Sequence, residues 1–75
     1  MSVRLEVQLA RKPGALMRLL GLTERRGYPP FRVHTAPFGP ATQMVHLTIK
    51  NDRSIDQLLR QIRKLYDVRH VERRQ

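Results

Sequence analysis

Three small groups of residues have types and spacings that could do chemistry. The first is the run Arg11-Lys12-Pro13-Gly14-Ala15, two cations and a Pro-Gly elbow set before an apolar-periodic segment. A loop entering a helix N-terminus presents unpaired backbone N–H groups and a partial positive charge, an arrangement that receives a carboxylate. Gly14 would let a ligand approach the backbone closely. The same Pro13-Gly14 pair also reads simply as a strand-to-helix turn. The second group is His34 and His46, two imidazoles that could begin a metal site or stand as two solvated histidines. Two ligands are too few for a closed site unless a second copy supplies more. The third is Arg60, Arg63 and Lys64, which could meet an acidic partner or face water as an ordinary helix surface. Beyond these, Ser2, Thr23, Thr35, Thr42, Thr48, Ser54 and two tyrosines form no legible nucleophile–base pair. The carboxylates are few and scattered. A catalytic site needs convergent groups in a pocket, so the expectation is a non-catalytic chain.

Hydropathy periodicity supplies the elements that position these groups. Val3, Leu5, Val7 and Leu9 alternate with Arg4, Glu6 and Gln8, which reads as a strand with one buried face. Leu16, Leu19, Leu20 and Thr23 recur at helical spacing, widened by Ala15 and Leu22, so a helix is expected over about 14–26. Pro13 suits its first turn and Gly27 its left-handed C-terminal residue. Pro29-Pro30 forces extension. Phe31, Val33 and Thr35 then alternate, as do Val45, Leu47 and Ile49, with a turn at Pro37-Phe38-Gly39-Pro40. A hairpin pairing Phe31 with Ile49, Val33 with Leu47 and Thr35 with Val45 gathers the apolar residues on one face. It makes His34 and His46 cross-strand neighbours, about 4.5–5.5 Å apart at Cβ.

Asn51-Asp52-Arg53 breaks that strand. Ser54 and Gln57 have capping-box spacing, and Ile55, Leu58, Leu59, Ile62, Leu65 and Tyr66 repeat as one helix face that Asp67 ends. A last strand, 68–72, has blurred alternation and is expected to be bulged or to lie at an edge. The order strand–helix–strand–strand–helix–strand predicts an α+β two-layer sandwich, the ferredoxin-like βαββαβ arrangement with antiparallel sheet order 4-1-3-2. Strand 2 is then an edge.

At 75 residues the chain is expected to form one domain over 1–75, burying only about 60% of its unfolded surface, so that association would help its core. It has no cysteine for a disulfide framework or a cysteine-based metal site. No leader-like run opens it, and nothing approaches the roughly 18 apolar residues of a membrane span. A cytoplasmic protein with no membrane partner is expected. Fifteen Lys and Arg against six Asp and Glu give a net charge of +9, and only Lys12, Lys50 and Lys64 are lysines. That balance suits nucleic acid or an acidic protein. The outward sheet positions Arg4, Glu6, Gln8, Arg32, His34, Met44, His46 and Thr48 include no Phe, Tyr or Trp to stack a base, which argues against nucleic acid.

The segment KPGALMRLLGLTERRGY, with the strand ending Thr35-Ala36-Pro37, resembles the ACT domain of acetolactate synthase (acetohydroxyacid synthase) small subunits. The carrying residues are Gly14, Ala15, Leu16, Arg18, Gly21, Leu22, Arg26, Gly27 and Tyr28. Arg53 to Val68, with Gln57, Leu58, Gln61, Lys64, Leu65 and Asp67-Val68, is similar to the family's second helix and last strand. The resemblance implies a regulatory subunit that binds and activates a thiamine-diphosphate-dependent catalytic large subunit at the first common step of branched-chain amino acid biosynthesis. Thiamine diphosphate, magnesium and FAD would sit in that partner, with no cofactor in this chain.

In valine-sensitive members, as the resemblance implies, paired ACT domains bind valine where one elbow meets the start of the other's strand 2. The matching positions here are Arg11, Lys12, Pro13, Gly14, Ala15, Pro29 and Ala36. Those members carry Asn at the positions of Arg11 and Pro29, where the amides hold the effector's ammonium and carboxylate. Arg11 would repel the ammonium group, and Pro29 has neither an amide side chain nor an N–H. The chain also stops after one ACT domain, as short valine-resistant isozyme members do. The reading is an activating, homodimeric subunit, paired through edge strand 2, with weak or no valine feedback. The alternatives are a stand-alone ACT domain sensing another small ligand, such as an anion drawn to Arg11 and Lys12, or a dimeric interaction module.

Overall fold

The computed structural model describes residues 2–50 and 54–74; the break expected at Asn51-Asp52-Arg53 lies outside them. Its elements are β1 (Ser2–Ala10), α1 (Ala15–Arg25), β2 (Pro30–Pro37), β3 (Thr42–Lys50), α2 (Asp56–Arg63) and β4 (Val68–Arg73). The strands form one antiparallel sheet in the order β2-β3-β1-β4. This is the βαββαβ ferredoxin-like arrangement expected from the hydropathy pattern.

Alternation decides which face is buried. Val3, Leu5, Val7 and Leu9 of β1 and Val45, Leu47 and Ile49 of β3 all point to one side, at most 1% exposed. Ala15, Leu19 and Leu22 of α1, Leu58, Leu59 and Ile62 of α2, and Ile55 just before it close over them. Val71 joins from β4, opposite Val7. The anticipated irregularity of β4 is a bulge: Gln8 faces His70 while Leu9 faces Val68, which absorbs the parity change between Val68 and Val71.

The end of α1 shows how local chemistry sets a turn. Gly27 has φ +86°, the left-handed region where a side chain costs energy. The Gly27 N–H bonds the Glu24 carbonyl at 3.1 Å and the Tyr28 N–H bonds the Thr23 carbonyl at 2.8 Å, the two bonds of a Schellman motif. Tyr28 is thereby turned inward and buried, and its hydroxyl donates to the Ser54 carbonyl. One glycine therefore aims both an anchor between the helices and the chain's path into Pro29-Pro30.

Several expectations are corrected. Phe31 does not face Ile49; Pro30 does, and Phe31 is the extra residue of a bulge before Arg32 meets Thr48. Phe31 and Val33 are not core either: on the edge strand β2 they stay 61% and 41% exposed. Pro13 precedes the first turn of α1, and Gly14 holds the N-cap position at φ +80°. The Ser54–Gln57 capping box is absent: Ile55, buried in the core, takes the N-cap position with no side-chain cap. The second helix ends at Arg63, so Tyr66 leaves the apolar stripe and is 89% exposed.

These details set opposite signs for two similar substitutions. Gly27→Ala should destabilise by about 1 kcal/mol through its left-handed φ, lowering Tm by about 4–8 °C in a domain of this size. Gly21→Ala, inside α1, should stabilise by about 0.5–1 kcal/mol, because its methyl would meet only the end of the Arg25 side chain, 3.2 Å away. Thermal unfolding of the two variants checks both signs.

Candidate functional site

The elbow between β1 and α1 is built from backbone hydrogen bonds. The Arg11 N–H bonds the Ala41 carbonyl at 2.9 Å, tying the elbow to the start of β3. The Ala15 N–H bonds the Lys12 carbonyl at 3.1 Å, closing the turn. Gly14 accepts the first helical bond, from the Arg18 N–H, at 2.9 Å. Its positive φ admits a residue without Cβ far more readily than any other. Arg11, Lys12, Pro13 and Gly14 are exposed, while Ala15 is buried in the core. The turn itself therefore uses the Ala15 donor, one of those that a carboxylate would need.

Sequence reasoning missed the group that dominates this elbow. Arg18, one turn into α1, folds back over Gly14. Its Nη1 lies 2.8 Å from where a Cβ on that glycine would stand. Its Nε and Nη2 donate to one oxygen of Asp67 at 3.0 and 2.6 Å, and Nη2 also leans on the Pro13 carbonyl at 3.4 Å. The Asp67 side chain is only 8% exposed, whereas that of Arg18 is 52% exposed. The Asp67 carbonyl accepts the Ala10 N–H at 2.8 Å. Residue 67 thus grips both sides of the elbow, its carboxylate on α1 and its backbone on the end of β1. Beside it, the Lys12 ammonium lies over the Tyr66 ring, 5.1 Å from the centroid, a cation–π contact.

The proposed effector positions do not meet within one chain. Arg11 and Ala36 share a depression of about 160 Å³ with Thr35, Pro37 and Gln43. Pro29 lines a different, mostly apolar cavity of about 450 Å³ with Gly27, Tyr28, Pro30, Phe31, Ile49 and Lys50. Pro30 faces Ile49 and Pro37 faces Gln43, so the two places lie at opposite ends of β2, about 23 Å apart.

On the sheet face away from the helices, His34 and His46 are the cross-strand neighbours that the pairing predicts. Their rings stack at 6.0 Å and 25°. His46 Nε2 is 3.0 Å from Glu6 Oε2, a partner that the sequence did not suggest. Among the described residues no three His, Asp or Glu side chains gather in a form that would hold a metal ion.

The sequence profile of the ACT domain matches residues 11–71. The chain is 39% identical over 69 residues to an acetolactate synthase small subunit of Buchnera aphidicola subsp. Schizaphis graminum (strain Sg), covering 89% of this chain and 44% of that protein. It therefore spans less than half the length of that relative. A crystal structure of an acetolactate synthase small subunit from Thermotoga maritima superimposes with a TM-score of 0.86 at 23% identity, over 97% of this chain and 47% of that one. The ACT domain from a GTP pyrophosphokinase of Chlorobium tepidum superimposes with a TM-score of 0.80 at 18% identity, over 99% and 97%.

The Arg18–Asp67 contact generates a prediction about the elbow. Asp67→Ala should cost about 2 kcal/mol in urea unfolding, the scale of a lost charge-assisted hydrogen bond. In an Arg18→Met background the same substitution should cost clearly less, which a double-mutant cycle would register.

Proposed function

The chain belongs to the ACT-domain family, and from that premise we propose that it acts as an activating regulatory subunit of an acetolactate synthase, residues 1–75 forming a single ACT domain. The observation that carries this reading is the 39% identity to an acetolactate synthase small subunit along 89% of the chain. The chain itself is non-catalytic. Its partner is the catalytic subunit that condenses pyruvate with pyruvate or 2-oxobutyrate, at the entry to branched-chain amino acid synthesis. Thiamine diphosphate, magnesium and FAD belong to that partner.

Two copies pair side by side through β2. Its backbone edge is unpaired in the sheet, and the apolar side chains of Phe31 and Val33 stand exposed along it. Covering such an edge removes a hazard for a small domain. An antiparallel β2–β2 pair also brings the start of one β2, with Pro29, alongside the end of the other, with Ala36 and the Arg11 depression. The effector positions that one chain holds apart are then completed by two.

That composite site is poor for valine. The Arg11 guanidinium, fixed as a cation, opposes an ammonium group. Pro29 offers no N–H. Weak or absent valine feedback follows.

Acetolactate formation by an acetolactate synthase catalytic subunit of the same organism should rise severalfold on adding this chain, and millimolar valine should leave the rise intact. No activation would overturn the synthase reading; activation abolished by valine would overturn the resistance. For the pairing, Val33→Glu should shift the protein from dimer to monomer in sedimentation equilibrium at micromolar concentration, with its fold retained because Val33 is exposed in the single chain.

A further inference from the structure

The face of the sheet away from the helices has an order that the regulatory reading does not use. The strand pairing lays its side chains in three rows. Arg32, Thr48 and Arg4 form one, with Arg74 next to it through the bond from the Arg74 N–H to the Arg4 carbonyl. His34, His46, Glu6 and Glu72 form the second. Ala36, Met44, Gln8 and His70 form the third.

Both carboxylates of this face are occupied within it. Glu6 meets His46 at 3.0 Å through one oxygen and Arg74 at 4.0 Å through the other. Glu72 meets His70 at 3.0 Å and Arg74 more closely still. Hydrogen bonds from His70 and Arg74 hold the Glu72 carboxyl below its ordinary pKa, which keeps it charged and bound to these neighbours. What remains to face outward is positive: the exposed Arg4 and Arg32 have no carboxylate partner among the described residues. The exposed His34 ring stacks on His46. The interlocked row beside Arg4 and Arg32 is pre-ordered, which lowers the entropy lost on docking. Arginine is also enriched over lysine where proteins meet.

We propose that this open sheet face, through Arg4 and Arg32, docks an acidic surface of a protein partner; under the regulatory reading above, on which this rests, the partner is the catalytic subunit. RNA is disfavoured, since none of the three rows carries a Phe, Tyr or Trp on which a base could stack and the His34 ring already stacks on His46. The dimensions agree with a protein. Four strands of six to nine residues, about eight on average, make a face of roughly 19 by 26 Å, or about 500 Å². That falls short of the about 800 Å² that each side of a standard interface contributes. Two copies joined edge to edge at β2 exceed it.

The test measures binding of the intact chain to the catalytic subunit at 50 and 300 mM salt. Three proteins are compared: the wild type, R4E with R32E, and R60E with R63E on the helix layer. The sheet-face double variant should raise Kd at least tenfold and flatten the salt dependence, with Tm held within a few degrees. The charge-neutral pair R4Q with R32Q should give an intermediate loss. The helix-layer pair should change Kd less than threefold. Unchanged binding by R4E with R32E, or loss confined to R60E with R63E, would overturn the proposal while leaving the regulatory reading in place. Failure of the wild type to bind would overturn the regulatory reading and this proposal with it. Binding of a single-stranded RNA 20-mer that only the sheet-face variants lose, with the catalytic subunit still bound, would overturn it in favour of nucleic acid.

Discussion

A sheet of four strands covered by two short helices can be dry on one face only, and much of this molecule follows from that limit. An eleven-residue and an eight-residue helix are about 16 and 12 Å long. They seal the two central strands, where Val3, Leu5, Val7, Val45 and Leu47 have no exposed surface. Along the edge strand β2 they leave Phe31 and Val33 uncovered. The opposite face has no helices at all and must remain polar, so its charges are arranged against one another. The uncovered edge and the polar face are two outcomes of one shortage of covering material.

The elbow shows how a small domain holds a loop still without a disulfide or a large core. Asp67 binds the β1 end through its backbone and α1 through its carboxylate. A carboxylate that is 8% exposed is costly to desolvate alone; with Arg18 against it, the cost becomes a constraint on the position of α1 relative to the sheet. The same guanidinium lies over Gly14, so an anion arriving at the helix start would meet a cation already committed to Asp67. Charge at this elbow is thus divided between Arg18, which is structural, and Arg11 and Lys12, which are exposed.

Local pattern carried the architecture well, because burial on the sheet's dry face is a matter of alternation, and alternation is visible residue by residue. The β2–β3 register followed from the same pattern from Val33 onward, as the facing of His34 and His46 shows. The pattern failed where apolarity does not mean core. Phe31 and Val33 are as apolar as Leu47, yet they stand exposed on the edge strand. Tyr66 continues the spacing of Ile62, but the chain leaves the helix after Arg63 to bring Asp67 under the elbow. Ser54 and Gln57 have the right separation for a capping box, and burial of Ile55 overrides it. For the candidate site, the elbow and its exposed cations were legible as a local motif. The Arg18–Asp67 contact joins residues 49 positions apart, and the Glu6–His46 contact joins residues 40 apart. No local signal marks such pairs.

The middle of the sheet has a consequence for how the chain comes to be folded. β1 pairs with β3 and β4 and with nothing nearer in sequence, so Val3 waits for Ile49 and Leu5 for Arg73. Contacts of such high order are slow to form, because loop closure must precede any gain from pairing. On a nascent chain, β1 therefore stays without a strand partner until β3 has been made. Its apolar face is open to solvent through the synthesis of α1 and β2.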